Sequence, residues 1–294
     1  MADRPCAMMK TSMRFSLKSG KRERRMFYHA KNGLLRTGGT ETYYVRFGTG
    51  RKNLIILPGV GDGFKTAKGV AVPFAFMYRR FAKDYTVYVF SRRNDLPEGF
   101  TTADMADDLA EAMDALGIAK ADFIGVSQGG MITEQMAIRY PEKTGKIVLA
   151  VTTARPTQVL TEAIDQWLEM AAQRDYKSIM LDTAERSYTG KYKEKQLRMY
   201  RMLSGLTKPK DFTRFNILAK SCLAHDVYDQ LGQIKSTALV IGGTQDRVAG
   251  PEGSHETAAQ IPGSELYMYE GLSHGLYEQA PDFYDRVELF LRKS

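Results

Sequence analysis

The chain has 294 residues, 43% apolar and 26% charged, the proportions of a globular protein with a substantial core. No uninterrupted apolar run reaches the roughly 18 residues of a membrane-crossing helix, and two cysteines, Cys6 and Cys222, cannot build a disulfide framework. The net charge of +8 is concentrated in residues 1–52, which hold 13 Lys/Arg against three acids, so the rest of the chain is slightly acidic.

The N-terminus, MADRPCAMMKTSMRFSLKSGKRERRM, lacks the apolar centre of a secretory signal. Residues 1–25 read as a solvated basic arm, for which weak contact with an anionic surface is the one expected interaction. No zinc spacing or nucleic-acid motif accompanies it, so no nucleic-acid partner is expected. Fifteen methionines and unpaired cysteines point to a reducing, cytoplasmic location.

ETYYVRFGTGRKNLIILPG (41–59) reads as two strands around a Gly-rich turn. The continuous run Leu54 to Leu57 indicates a strand covered on both faces. A helix over 73–85, a second buried strand in TVYVFSRRND and an amphipathic helix over 104–116 follow. The acids of that last helix read as a cap and a solvated face. Strands are expected over 122–126, 146–151, 237–242 and 265–269, with helices up to Tyr140, over 252–260 and over 282–292. Strands alternating with helices imply a mostly parallel, doubly wound α/β sheet. Residues 153–235 break the rhythm with helical segments and no buried strand. They read as a helical cap inserted into a core formed by 26–152 and 236–294, over the sheet edge where such folds bind ligands.

Gly125-Val126-Ser127-Gln128-Gly129 stands where a strand becomes a helix. Such a turn either exposes a nucleophilic hydroxyl or is a tight turn without chemistry, and the remaining residues decide. Serine needs a base. Of four histidines, His29 lies at the end of the arm, His225 in the insertion and His255 on a surface helix. His274, in Gly271-Leu-Ser-His-Gly275, directly follows the last strand. Asp246, in the loop after the preceding strand, is the candidate acid, because Thr152-Thr153-Ala154-Arg155 offers no carboxylate. The backbone N–H groups of Gln128 and of Val60, in Pro58-Gly59-Val60-Gly61-Asp62-Gly63, are candidate oxyanion donors. No Lys-Ser/Thr follows Gly63, so this is no phosphate loop.

Taken in order, LIILPGVGDG, SRRNDLPEGFTTADMADDL, FIGVSQGGMITEQMAIRYPEKTGKIVLA, LVIGGTQDRVAGPE and YEGLSHG resemble the α/β-hydrolase superfamily across residues 40–294. Within it the chain is similar to capped esterases and carbon–carbon-bond hydrolases. Such relatives usually carry His-Gly where this chain has Pro58-Gly59, which leaves open how the loop is braced. The resemblance implies an α/β-hydrolase fold with a helical cap and a Ser127–His274–Asp246 triad that works without a metal or organic cofactor.

The expected activity is a serine hydrolase that cleaves a carboxylic ester or related small acyl compound through an acyl-enzyme. A thioesterase, aminopeptidase or carbon–carbon-bond hydrolase would use the same triad, and a ligand-binding receptor with little turnover is the rival from another class. A monomer or homodimer is expected. Trp167, Met199, Tyr200, Met202 and Leu203 are candidate pocket liners, although such residues at helical spacing equally form a cap's own core. The excess of Lys/Arg in residues 155–220, 13 against eight acids, would favour an anionic substrate, unless it belongs to a solvated face.

Overall fold

The computed structural model describes residues 27–293; the basic arm expected over 1–25, with Cys6, lies outside them. Two strands, β1 (Lys31–Thr37) and β2 (Thr40–Phe47), open the described chain, followed by β3 (Lys52–Leu57), α1 (Ala71–Met77) and β4 (Tyr85–Arg93). The sheet continues through α2 (Thr102–Ala115), β5 (Ala121–Val126), α3 (Gln128–Arg139) and β6 (Thr144–Ala150). Four helices then follow without a strand: α4 (Gln158–Ala172), α5 (Tyr176–Ser187), α6 (Gly190–Thr207) and α7 (Thr213–Leu223). The chain returns to the sheet as β7 (Ala238–Gly243), α8 (Pro251–Gln260), β8 (Glu265–Tyr269), α9 (Leu276–Gln279) and α10 (Phe283–Arg292).

The eight strands lie in the order β1-β2-β4-β3-β5-β6-β7-β8. β1–β2 and β2–β4 pair antiparallel, and every pairing from β4 across to β8 is parallel. This is the α/β-hydrolase arrangement, a mostly parallel sheet with an inserted helical cap. The central strands carry continuous apolar runs because both their faces are covered. Leu54 and Ile56 pack in one core with α1 and α10, while Ile55 and Leu57 pack in the other with α2 and α3. Each is at most 3% exposed; cutting such a residue to Ala costs about 2–5 kcal/mol.

Several local expectations change. β1 carries no sequence signal of its own, since Leu34 and Leu35 are its only large apolar residues and it lies largely exposed at the sheet edge. The helix expected over 73–85 stops at Met77 and passes into a single turn over Arg79–Phe81. Within the helical insertion, α4 ends before Arg174, whose φ of 56° no helix tolerates. Asp175 then starts α5 by accepting a hydrogen bond from the Ser178 N–H at 3.0 Å. The acids of α2 are not simply solvated. Asp104 closes a capping box with Thr101, Asp107 binds Arg139 in a bidentate pair, and Asp108 is tucked against Arg93 at 3.5 Å.

Candidate active site

Ser127 stands at the junction of β5 and α3 with φ 55° and ψ −123°. A non-glycine residue pays about 1–3 kcal/mol for such a conformation, and the surroundings impose it. The Ser127 N–H donates to the Ala150 carbonyl at 2.9 Å, and its carbonyl accepts from Gly130 N–H at 2.7 Å and from the Thr152 hydroxyl at 2.9 Å. The flanking glycines are forced by contact. A Cβ on Gly129 would lie 2.0 Å from the Leu57 carbonyl oxygen, and one on Gly125 would lie 2.5 Å from the Gly129 oxygen. Helix α3 therefore starts hard against β3, and the Ser127 side chain is presented at the C-terminal edge of the sheet.

His274 and Asp246 reach the same edge from the loops after β8 and β7. The His274 Nδ1 lies 2.9 and 3.1 Å from the two Asp246 oxygens, and both residues are nearly buried. Asp246 Oδ1 also accepts from the N–H groups of Val248 and Ala249 at 2.8 and 2.9 Å, which holds the carboxylate before any imidazolium forms. With Nδ1 turned to Asp246, Nε2 is the nitrogen left for proton transfer. His274 and Ser127 line one cavity of about 400 Å³ between sheet and cap. The histidine loop is tied to the cap as well, since Gly275 N–H donates to the Ser187 carbonyl at 2.7 Å.

The loop after β3 closes the other side. Val60 lines the cavity, and a Cβ on Gly59 would lie 3.3 Å from the Ser127 Cβ. Val60 and Gln128 are each the first residue of a helical turn, where no carbonyl of that turn can reach the N–H. Both candidate donors are thus left without a partner inside their own helical turn. The bracing that Pro58 cannot supply comes from β4 and the cap. The buried Arg92 guanidinium donates to the Pro58 carbonyl at 2.6 Å and to Gln128 Oε1 at 2.9 Å. Its backbone N–H donates to Asp62 Oδ2 at 3.0 Å, which Arg214 of α7 also holds at 2.7 Å. Burial lowers the pKa of Arg92, and Asp62 partly offsets it. One side chain thus ties together the two segments that carry the candidate donors.

The pocket differs from the expectation in part. Trp167 and Tyr200 line the cavity, and Trp167 also serves the cap core, its Nε1–H donating to Asp182 at 2.7 Å. Met199, Met202 and Leu203 do not line it. They are 37%, 72% and 42% exposed, because α6 packs chiefly on α5 and buries only Gln196, Leu197 and Ser204. Tyr176, Tyr188, Tyr277 and Glu278 line the cavity instead. Tyr277 and Glu278 have a retrievable signal, their positions three and four residues after His274; Tyr176 and Tyr188 have none.

His225 is brought nowhere near this cavity. It is buried with Glu134, Nε2 to Oε2 at 2.9 Å, and Thr102 holds its Nδ1 at 2.8 Å. His255 lies exposed on α8 and His29 exposed before β1. Among the described residues no cluster of His, Cys, Asp and Glu is arranged to hold a metal ion, and no helix is long and apolar enough to cross a membrane.

Compared with known protein families, residues 52–281 match the alpha/beta hydrolase fold family. Among curated proteins, the chain is 27% identical over 285 residues to the 2-hydroxy-6-oxononadienedioate/2-hydroxy-6-oxononatrienedioate hydrolase of Burkholderia vietnamiensis, covering 87% of this chain and 93% of that protein. It is 26% identical over 202 residues to the putative carbamate hydrolase RutD of Caulobacter vibrioides, covering 66% and 72%. Among solved structures, the enol-lactonase of Burkholderia xenovorans LB400 superposes with a TM-score of 0.75 at 25% identity, covering 89% of this chain and 100% of that one.

Proposed function

From the premise that this chain belongs to the alpha/beta hydrolase fold family, we propose that it is a serine hydrolase that attacks a substrate carbonyl with Ser127. His274 takes the serine proton and returns it to the leaving group, Asp246 holds the imidazole, and the Val60 and Gln128 N–H groups receive the oxyanion. The observation that carries this reading is the convergence of Ser127, the Asp246-bound His274 and the Val60 loop on one cavity.

The bond broken lies beside that carbonyl, and a carbon–carbon bond ranks ahead of a carboxylic ester. A 2-hydroxy-6-oxodienedioate contains no ester, so the hydrolase that spans 93% of its length with this chain must break carbon to carbon. The chemistry needs no new part here. Water cleaves a β-diketone into an acid and a ketone once the departing carbon leaves as an enolate and takes a proton, which His274 would deliver. The enol-lactonase keeps the ester-type reaction as the second reading.

The test is turnover of heptane-2,4-dione and p-nitrophenyl butyrate by wild-type and Ser127→Ala protein, with products identified by mass. Diketone cleavage that vanishes in the variant supports the first reading. Ester cleavage alone selects the second, and folded protein that turns over neither contradicts both.

A further inference from the structure

One charged group on the cavity wall has no part in the triad. Glu278, on α9, lines the same cavity as Ser127 and His274. Its Oε2 accepts from the Tyr188 hydroxyl at 2.8 Å, and Tyr192 stands beside it with its ring 5.1 Å from that of Tyr188. Tyr200 and Tyr277 line the cavity too. Glu278 is exposed as a residue, yet protein surrounds its carboxyl closely enough for burial to raise its pKa.

Among the described residues, Glu278 has hydroxyl donors but no cation as ion-pair partner. The other lining carboxylate, Asp62, is already neutralised by Arg214 at 2.7 Å. Among the described residues, Lys65 is the one Lys or Arg that lines the cavity; it lies in the loop after β3, and like Glu278 it is exposed. Of the 13 Lys/Arg in residues 155–220, four are ion-paired, Arg155 with Glu256, Arg186 with Asp182, Lys193 with Glu185 and Arg214 with Asp62, and none of the 13 lines the cavity. No charged side chain of the cap lines the cavity.

We propose that the cavity takes substrates whose non-reacting end carries an ammonium group, held by the Glu278 carboxylate inside a collar of Tyr188, Tyr200 and Tyr277. A carboxylate on the cavity wall without a cationic partner attracts a group of opposite charge, and aromatic rings around it favour a weakly hydrated cation. The same wall disfavours the free carboxylates of a dienedioate. The inference rests on the hydrolase reading, since it assigns the other end of that reaction's substrate, yet binding tests it without turnover.

Calorimetric titration of the full chain with 3-(trimethylammonio)phenol and with its neutral isostere 3-tert-butylphenol separates charge from shape. Wild-type protein is expected to bind the cation about tenfold or more tightly than the isostere, and Glu278→Gln to reduce that ratio to within about twofold. Glu278→Asp, which keeps the charge on a shorter arm, retains part of the preference and serves where Glu278→Gln does not fold. A wild type that binds the isostere equally well or better, or that binds neither ligand, overturns the proposal. So does a preference that survives Glu278→Gln in protein with a wild-type melting temperature. Turnover of heptane-2,4-dione and p-nitrophenyl butyrate, measured on the same samples, reports the hydrolase reading separately.

Discussion

Among the described residues, two buried histidine–carboxylate pairs share the same closest separation, 2.9 Å: His274 with Asp246, and His225 with Glu134. Distance and burial do not distinguish them; the remaining partners do. His225 has both ring nitrogens engaged, by Glu134 and by Thr102. It joins the start of α2 and the middle of α3 to the segment after α7, where the chain leaves the cap. His274 has one nitrogen committed to Asp246 and the opposite edge of its ring on a cavity shared with Ser127. The carboxylates differ as well. Asp246 is fixed by two backbone N–H groups. Glu134 has an Oε1 with no partner among the described residues, and burial raises its pKa. A pair becomes a base for chemistry when a nitrogen is left over and there is room for a substrate beside it; otherwise it is a buried fastening.

The largest effects should fall on the cavity pair. His274→Gln and Asp246→Asn are each expected to lower kcat by about 10³–10⁴, with melting temperatures close to wild type; activity within tenfold of wild type would remove His274 from the mechanism. His225→Leu should do the reverse. It strands a buried carboxyl and costs about 3–5 kcal/mol of stability, read by urea denaturation, while kcat per folded molecule stays within about twofold. Combining it with Glu134→Leu should recover much of the loss, because an apolar pair of similar volume needs no desolvation. Arg92→Met probes the brace rather than either pair. We expect kcat to fall about 10–100-fold with KM nearly unchanged, since the oxyanion donors would lose their alignment and substrate contacts would remain. Smallest of all, Met202→Ser is expected to leave kcat/KM within about twofold, because that side chain faces solvent.

The two pairs also mark what was legible in the chain. Ser127, Asp246 and His274 could be found because each follows a strand, and parallel strands deliver their C-terminal loops to one edge. The doubly wound order was legible for a related reason: strands buried on both faces write continuous apolar runs, as at Leu54–Leu57. Edge strand β1 and the lining of the cap were not. A helix on the surface of a cap can carry more apolar residues than its inner face uses, so spacing on α6 could not separate Tyr200, inside, from Met202, outside. Arg92 was hidden for another reason. Its partners, the Pro58 carbonyl in the loop after β3 and Gln128 at the start of α3, are far from it in sequence, and no local pattern records them.

The claim that Ser127 is the nucleophile served by His274, and not a strained turn, is tested most directly by a fluorophosphonate probe read by intact mass. Wild type and His225→Leu should each gain one adduct, Ser127→Ala none, and His274→Gln should label at least about 100-fold more slowly. Undiminished labelling of Ser127→Ala, or no labelling of folded wild type, would contradict the account.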